Sequence, residues 1–353
     1  METTGKKFWM TWRTSLSKTL GIALLALLAC ACSNSDDDSN NGSNPLPGTD
    51  NNGGSTTPAD TVKEEPIAVL DSVEFRCKRG DLEIYGLMYS KVVPGKKVPA
   101  VILSHSSSLT HAAMKDYARA IADKGMVAYC FDFCGGSTES KSDGSTDDMT
   151  VFTEVEDLKA VIDAVSRLET VDTDSIYLLG SSQGGLVSAL VAEECAQSLR
   201  GMILFYPAFN IPELIDKYGD LINMWGNMRS WGDFGNWGDW SDLMNQWGDL
   251  SSLMGSMSMS ETFINAIKGY DVWSHIGTFP RHVTIIHGSA DIIVPVENSE
   301  KAVKLYPDAE LHLIEGANHG FNAANLGSMG SMMGASADYD AQVLPLVFEA
   351  LNR

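Results

Sequence analysis

Apolar and polar residues alternate along much of the chain in blocks whose lengths and periods predict strands followed by helices. Residues 73–77 and 82–89 are predicted strands, and the turn sequence Arg79-Gly80-Asp81 between them predicts an antiparallel hairpin. The next block, residues 98–103, is almost wholly apolar, which is typical of a strand buried on both faces of a parallel sheet.

The alternation between strand and helix then repeats to the end of the chain. Residues 112–124 carry an apolar stripe at helical spacing that stops at Gly125, where a C-terminal glycine is common in helices. Further helices are predicted at residues 151–168, 186–196, 296–306 and 339–351, and further strands at 126–131, 175–179, 202–206, 282–286 and 310–314. This order predicts an α/β protein whose mostly parallel central sheet is flanked by helices.

Residues 209–270 interrupt the alternation and predict an insertion after the sixth strand of a domain that spans residues 67–353. A flexible low-complexity loop and a cap over a binding site both fit its composition, since methionine and aromatic side chains adapt to apolar ligands. The recurring residues are Trp225, Trp231, Trp237, Trp247, Met224, Met228, Met244, Met254, Met257 and Met259.

The N-terminus has the composition of an export signal. Positive charges at Lys6, Lys7, Arg13 and Lys18 precede the apolar run 20–29, which is shorter than a membrane span. Residues 1–29 are therefore a predicted signal peptide. Residues 30–66 contain so few apolar side chains that they predict a disordered tether.

The run Leu27-Leu28-Ala29-Cys30 resembles the lipobox of bacterial lipoproteins, in which the acylated cysteine becomes the first mature residue. Cys30 is the expected lipidation site, with Cys32 and a plain cleaved signal as the alternatives. The cluster Asp36-Asp37-Asp38 is similar to the export tag of surface lipoproteins in Bacteroides-like bacteria. The expected location is the bacterial outer membrane, on the cell surface or alternatively on its periplasmic side, with lipid as the only membrane contact.

Charge and cysteine content exclude several classes of partner. The formal net charge is −21, so nucleic acid, whose phosphates would be repelled, is not an expected partner. The spacing of Cys77, Cys130, Cys134 and Cys195 fits no zinc motif, and their disulfide pairing cannot be deduced from sequence. Neither a metal nor another cofactor is expected.

The sequence Gly180-Ser181-Ser182-Gln183-Gly184 lies between an apolar strand and an apolar helix. This G-x-S-x-G pattern, in that context, is typical of a nucleophile elbow, where small flanking residues tolerate a sharp and strained turn. Ser182 is therefore the candidate nucleophile. Ser181 is a weaker candidate, because it does not have a glycine two residues before it and two residues after it.

A serine hydroxyl needs a histidine base that is oriented by a carboxylate. In an elbow protein the chain order is serine, acid, histidine, which fits Asp291 and His319 in the loops after two successive strands. Both loops are expected at the carboxyl edge of the sheet with Ser182, and Glu315 is the alternative acid. Histidines within or beside strands are interpreted as structural: His282, His287 and His312.

Two backbone N–H groups are the candidate oxyanion donors. Gln183 follows the nucleophile at the start of a helix, and Ser107 lies in the loop after strand 98–103. His105, in the same loop, is interpreted as structural.

With these residues in place, the chain resembles the α/β-hydrolase superfamily and, within it, the cinnamoyl or feruloyl esterase-like group. The resemblance implies the α/β-hydrolase fold and acyl-enzyme hydrolysis of small esters. It covers about residues 98–351 and departs from the family pattern at His105-Ser106, where relatives carry His-Gly, and in the Trp/Met insertion. Besides the elbow and the Asp291 and His319 segments, it rests on Phe131-Asp132-Phe133, Gly135-Gly136-Ser137, residues 154–158 and Tyr206-Pro207-Ala208.

Three functions are consistent with these observations. The first is a serine carboxylic ester hydrolase that releases hydroxycinnamoyl or acetyl groups from small-molecule or polysaccharide-linked esters of plant origin. The second is a serine peptidase of the prolyl oligopeptidase-like type, since the same triad cleaves amides. The third is a non-catalytic surface glycan-binding lipoprotein, against which an intact Ser182, Asp291 and His319 argue.

Overall fold

The computed structural model of the protein describes residues 71–91, 95–217, 219, 259–321 and 338–353. All of them belong to one compact unit, Glu64–Arg353. The signal, Cys30, the tether and most of the Trp/Met insertion lie outside the described residues, so the predictions about them stay predictions. Within the described residues, no helix is long and apolar enough to cross a bilayer.

A central sheet of eight strands forms the middle layer of the described domain. Its order is β1-β2-β4-β3-β5-β6-β7-β8. The strands are β1 Asp71–Arg79, β2 Leu82–Ser90, β3 Val98–Ser104, β4 Val127–Phe131, β5 Val171–Ser181, β6 Gly201–Phe205, β7 His282–Gly288 and β8 Ala309–Ile314. Strand β2 pairs antiparallel with β1 and β4, and every other pairing is parallel. The predicted hairpin and the mostly parallel α/β sheet are therefore confirmed.

Helices connect the parallel strands. The described ones are α1 Lys115–Asp123, α2 Val151–Ser166, α3 Gln183–Glu194, α4 Glu261–Ile267, α5 Val296–Ala302 and α6 Asp340–Leu351, and residues 211–217 are also helical. Helix α3 begins three residues before the predicted start, at Gln183. Glycines at 184 and 185 disfavour a helix locally, but close packing of this turn against the end of β3 and against Pro207 leaves no space for side chains there.

The alternation of side chains along each strand divides the core into two layers. On β3, Ala100 and Ile102 join one hydrophobic cluster, whereas Val101 and Leu103 join the other. The first cluster contains the buried faces of α2 and α3. The second contains those of α1 and α6. The apolar runs of the central strands are therefore explained by burial on both faces of the sheet.

The parallel strands bring their carboxyl ends to one edge of the sheet. Ser182 directly follows β5, Asp291 lies three residues after β7, and His319 lies five residues after β8. Loops at this edge can therefore meet although they are far apart in sequence.

Candidate active site

Ser182 occupies a sharp turn between β5 and α3, with φ of 52° and ψ of −116°. A non-glycine residue in such a conformation costs on the order of 1–3 kcal/mol, so the surrounding structure must hold it. The N–H of Ser182 donates to Phe205 of β6 at 2.9 Å, and its carbonyl accepts from Ala208 at 3.0 Å. These contacts fix the turn on both sides of the serine.

The glycines on either side of the turn allow a very close approach of backbone to backbone. A side chain at Gly180 would overlap the carbonyl oxygen of Gly184, and one at Gly184 would overlap the carbonyl oxygens of Ser104 and His105. The predicted need for small residues therefore has a specific origin in the packing of α3 against the carboxyl end of β3.

The structure brings Ser182, His319 and Asp291 together in one hydrogen-bonded chain. Ser182 Oγ lies 3.0 Å from His319 Nε2, and His319 Nδ1 lies 2.8 Å from Asp291 Oδ2. An ionised carboxylate only accepts hydrogen bonds, so His319 donates from Nδ1 and its Nε2 is free to accept the serine proton. This is the arrangement that converts a serine hydroxyl into a nucleophile.

The carboxylate of Asp291 is fully buried. Burial by itself raises its pKa, but hydrogen bonds from His287 and His319, the charge of His319 and the N–H of Val294 outweigh burial and hold the pKa well below its usual range. Its second oxygen, Oδ1, accepts the N–H groups of Ile293 at 2.8 Å and Val294 at 2.9 Å. Asp291 is therefore ionised and rigidly oriented.

Asn318 joins the two loops that carry Asp291 and His319, a role that the sequence reasoning did not anticipate. Its Oδ1 accepts the N–H of His319 at 2.8 Å and the N–H of Ile292 at 3.1 Å. The ring of Tyr206 packs against the His319 imidazole with centroids 4.6 Å apart. In the sequence, the only indication of this role is that Asn318, which has an amide side chain, directly precedes His319.

The two alternative residues lie elsewhere. Ser181 is buried, and its hydroxyl lies 3.0 Å from the Ser106 hydroxyl on the other side of the elbow. Glu315 is exposed in the turn after β8, whereas Asp291 contacts His319. The geometry thus selects Ser182 and Asp291 over Ser181 and Glu315.

The candidate oxyanion donors lie on the two segments that meet at the elbow. Gln183 is the first residue of α3. Ser107 is buried in the loop after β3 and follows Ser106, whose hydroxyl contacts that of Ser181.

His105 holds the loop that carries Ser107. In the neutral His105 ring, Nε2 accepts the N–H of Phe133 at 3.2 Å and Nδ1 donates to the Ser106 carbonyl at 2.7 Å. Because that carbonyl belongs to the peptide group of the Ser107 N–H, His105 orients the candidate donor. The donor roles themselves remain predictions.

No group of three or more His, Cys, Asp and Glu side chains in the described residues is arranged to hold a metal ion. The cysteines predicted to lie in the folded domain, Cys77, Cys130, Cys134 and Cys195, are free thiols.

A second buried carboxyl group lies beneath the elbow. Glu154 of α2 accepts a hydrogen bond from the Gln183 side-chain amide at 2.7 Å. Burial raises the pKa of Glu154 from 4.5 to about 8, because the single bond from Gln183 offsets only part of the desolvation and Asp157 adds a like charge. Glu154 is therefore protonated at neutral pH.

This protonation makes the free energy of unfolding depend on pH. Between about pH 4.5 and 8 the folded state retains a proton on Glu154 that the unfolded chain releases, so stability decreases as pH rises through this window. A Glu154→Gln variant should lack this component, which amounts to on the order of 4 kcal/mol. Urea unfolding of both proteins at pH 5, 6.5 and 8 measures the difference, with the exposed Glu156→Gln as the matched control. Parallel curves for wild type and Glu154→Gln would show that Glu154 is ionised in the folded protein.

The chain is similar to known proteins in part of its sequence and in its fold. A family model described as serine aminopeptidase, S33, matches residues 95–232, a range that includes Ser107 and Ser182 and ends before Asp291 and His319. Among curated proteins, none is similar enough in sequence to match.

Solved structures with the same fold cover most of the chain. Est1E from Butyrivibrio proteoclasticus with bound ferulic acid is 19% identical, with a TM-score of 0.57 over 79% of this chain and 100% of its own. The esterase EaEST from Exiguobacterium antarcticum is 15% identical, with a TM-score of 0.55 over 80% and 100%. The α/β-hydrolase GrgF from Penicillium sp. sh18 is 17% identical, with a TM-score of 0.54 over 80% and 99%.

The fold and the arrangement of Ser182, His319 and Asp291 together identify the class of protein. The sheet order and the structural neighbours show the α/β-hydrolase fold, and a serine, a histidine and an aspartate are hydrogen-bonded at the carboxyl edge of its strands. The protein is therefore a serine hydrolase with the α/β-hydrolase fold.

Proposed function

We propose that the protein hydrolyses carboxylic esters through an acyl-enzyme on Ser182. The observation that carries the proposal is the continuous hydrogen-bonded chain from Ser182 Oγ through His319 to the buried carboxylate of Asp291. In the first half-reaction, Ser182 Oγ attacks the acyl carbonyl while His319 Nε2 takes the hydroxyl proton. Asp291 stabilises the imidazolium that forms.

The tetrahedral intermediate carries a negative oxygen that needs donors in place beforehand. The backbone N–H groups of Gln183 and Ser107 are the proposed donors, the former strengthened by the N-terminal dipole of α3. Collapse of the intermediate breaks the ester bond, and His319 passes its proton to the leaving alcohol. Water, activated by His319, then attacks the acyl group on Ser182 and releases the acid.

The nucleophile assignment is tested by comparing two adjacent serines. Ser182→Ala should reduce turnover of p-nitrophenyl acetate by on the order of a million-fold, because the nucleophile itself is lost. Ser181→Ala should keep activity within about tenfold, since it removes one neutral hydrogen bond of the elbow. Initial rates and labelling by a fluorophosphonate probe measure both. Full activity of the Ser182→Ala protein would contradict the proposal, and failure of wild type to label would favour the glycan-binding alternative.

For the acyl group, we propose hydroxycinnamoyl or acetyl esters derived from plant polysaccharides. Support comes from the sequence resemblance to feruloyl esterases and from the shared fold with Est1E, whose solved structure holds ferulic acid. A panel of methyl ferulate, methyl p-coumarate, acetylated xylan and short p-nitrophenyl esters tests this. Hydroxycinnamoyl or acetyl esters should give the highest kcat/KM. A preference for short acyl chains without regard to their structure would remove the feruloyl assignment and leave the mechanism intact.

A peptidase is the second candidate, favoured by the match of residues 95–232 to a family model described as serine aminopeptidase. The same triad can attack an amide, so the triad alone does not distinguish an ester, which loses an alcohol, from an amide, which loses an amine. Dipeptide anilides assayed beside the esters separate the two activities, with Ser182→Ala as the shared control.

We also propose that acyl chains on Cys30 anchor the protein in a bacterial outer membrane, with the catalytic domain on the cell surface. The lipobox-like run before Cys30 and the acidic cluster after it support this location. Metabolic labelling with an alkynyl fatty acid in a bacterial host should mark wild type and the Cys32→Ser control but not Cys30→Ser. Label retained in Cys30→Ser and lost in Cys32→Ser would reassign the lipid. Protease treatment of intact cells distinguishes the surface from the periplasmic side.

A further inference from the structure

His287 contacts the triad from outside it. This side chain lies on β7, is fully buried, and places Nε2 3.2 Å from Oδ2 of Asp291, the same oxygen that His319 contacts. On the far side of the ring, Nδ1 lies 2.7 Å from the hydroxyl of Ser299 on α5, which is also fully buried. The proposed steps at Ser182, His319 and Asp291 transfer no proton to or from either residue.

We infer that Ser299 and His287 are positioning residues, which extend the triad into a five-membered chain that holds the Asp291 carboxylate on His319. The order of the chain is Ser299, His287, Asp291, His319 and Ser182. The inference rests on the proposed catalytic role of the last three residues.

The donor and the acceptor in the contacts of His287 with Asp291 and with Ser299 follow from hydrogen-bond chemistry. His287 Nε2 also lies 2.9 Å from the carbonyl oxygen of Val294, which can only accept, so Nε2 carries a hydrogen. That N–H donates to Val294 and lies beside Asp291, with Nε2 3.2 Å from Oδ2. A neutral imidazole has one N–H, so Nδ1 accepts, and the Ser299 hydroxyl must donate to it. The Ser299 hydroxyl therefore satisfies the acceptor nitrogen of the tautomer whose N–H lies beside Asp291.

The two oxygens of Asp291 are held in different ways. Oδ1 is fixed by backbone N–H groups of its own loop, from Ile293 and Val294. Oδ2 faces the two imidazoles. Removal of the His287 side chain would therefore take away a contact from the oxygen that orients His319. The titratable groups in contact with the carboxylate are His287 from β7 and His319 from the loop after β8. Tyr206, at the end of β6, packs on the His319 ring.

Removal of the His287 N–H has a specific electrostatic consequence. A carboxylate that loses a donor is less stabilised, so it attracts the proton of the His319 imidazolium more strongly. The acidic limb of kcat/KM should therefore move to higher pH. Turnover at the pH optimum should fall as well, because Oδ2 is less constrained. A side chain that only fills space would not move the pH limb.

The test compares four variants by circular dichroism, thermal midpoint, p-nitrophenyl acetate kinetics over pH 5–9 and fluorophosphonate labelling rate. His287→Ala should lower kcat about tenfold or more, as expected for a hydrogen bond to a charged group, and raise the pH of the acidic limb. His287→Gln, which keeps an N–H donor, should retain more activity. Ser299→Ala should shift the limb in the same direction with a smaller loss of kcat.

Thr284→Val is the matched control. Thr284 is equally buried on β7 and donates to Glu310, away from the triad, so its loss should leave kcat and the pH limb unchanged. Folded His287→Ala and Ser299→Ala proteins with wild-type kcat and pH limb would overturn the inference. If His287→Ala does not fold, the kcat and the acidic limb of Ser299→Ala alone decide whether the inference holds. A wild-type protein that the probe fails to label would instead refute the proposed function, so the two failures are distinguishable.

Discussion

The left-handed turn at Ser182 is the constraint on which the rest of the site depends. It depends on the start of α3 packing so closely on the end of β5 and on the end of β3 that Gly180 and Gly184 have no space for side chains. The strain of the turn is offset by backbone hydrogen bonds on both sides of the serine. The Ser182 hydroxyl lies at the sheet edge within 3.0 Å of His319 Nε2, and the next residue begins α3, whose N-terminal dipole favours negative charge nearby.

Two buried carboxyl groups near this turn have opposite protonation for a common reason. Asp291 accepts hydrogen bonds from two backbone N–H groups and from His319, and His287 Nε2 lies 3.2 Å from its Oδ2; together these contacts outweigh burial. Glu154 receives one side-chain amide, and burial dominates. The number and charge of donors, not burial itself, decide which carboxyl group is ionised. The ionised one orients His319, and the neutral one accepts a hydrogen bond from the side chain of Gln183, the residue after the elbow serine.

The loop after β3 connects this electrostatic arrangement to the fold. His105 connects the Ser106 carbonyl to Phe133 in the loop after β4, and Ser106 contacts Ser181 across the elbow. Ser108 in the same loop has φ of 58°, a conformation that glycine adopts more easily. This serine-rich loop is where the chain departs from the His-Gly pattern of the family it resembles, yet the histidine still bridges the two segments.

Local sequence determined the order of strands and helices, the elbow, and the loops that carry Asp291 and His319. These features depend on periodicity, glycine placement and side-chain chemistry within a few residues, as at Thr150, whose hydroxyl caps the predicted start of α2. Tertiary structure alone decided that Asp291 rather than Glu315 meets His319, that Asn318 joins the two loops, and that a strand histidine interpreted as structural contacts the Asp291 carboxylate. Those outcomes depend on contacts between segments tens of residues apart, whose spacing is set by sheet order and burial rather than by neighbours in the chain.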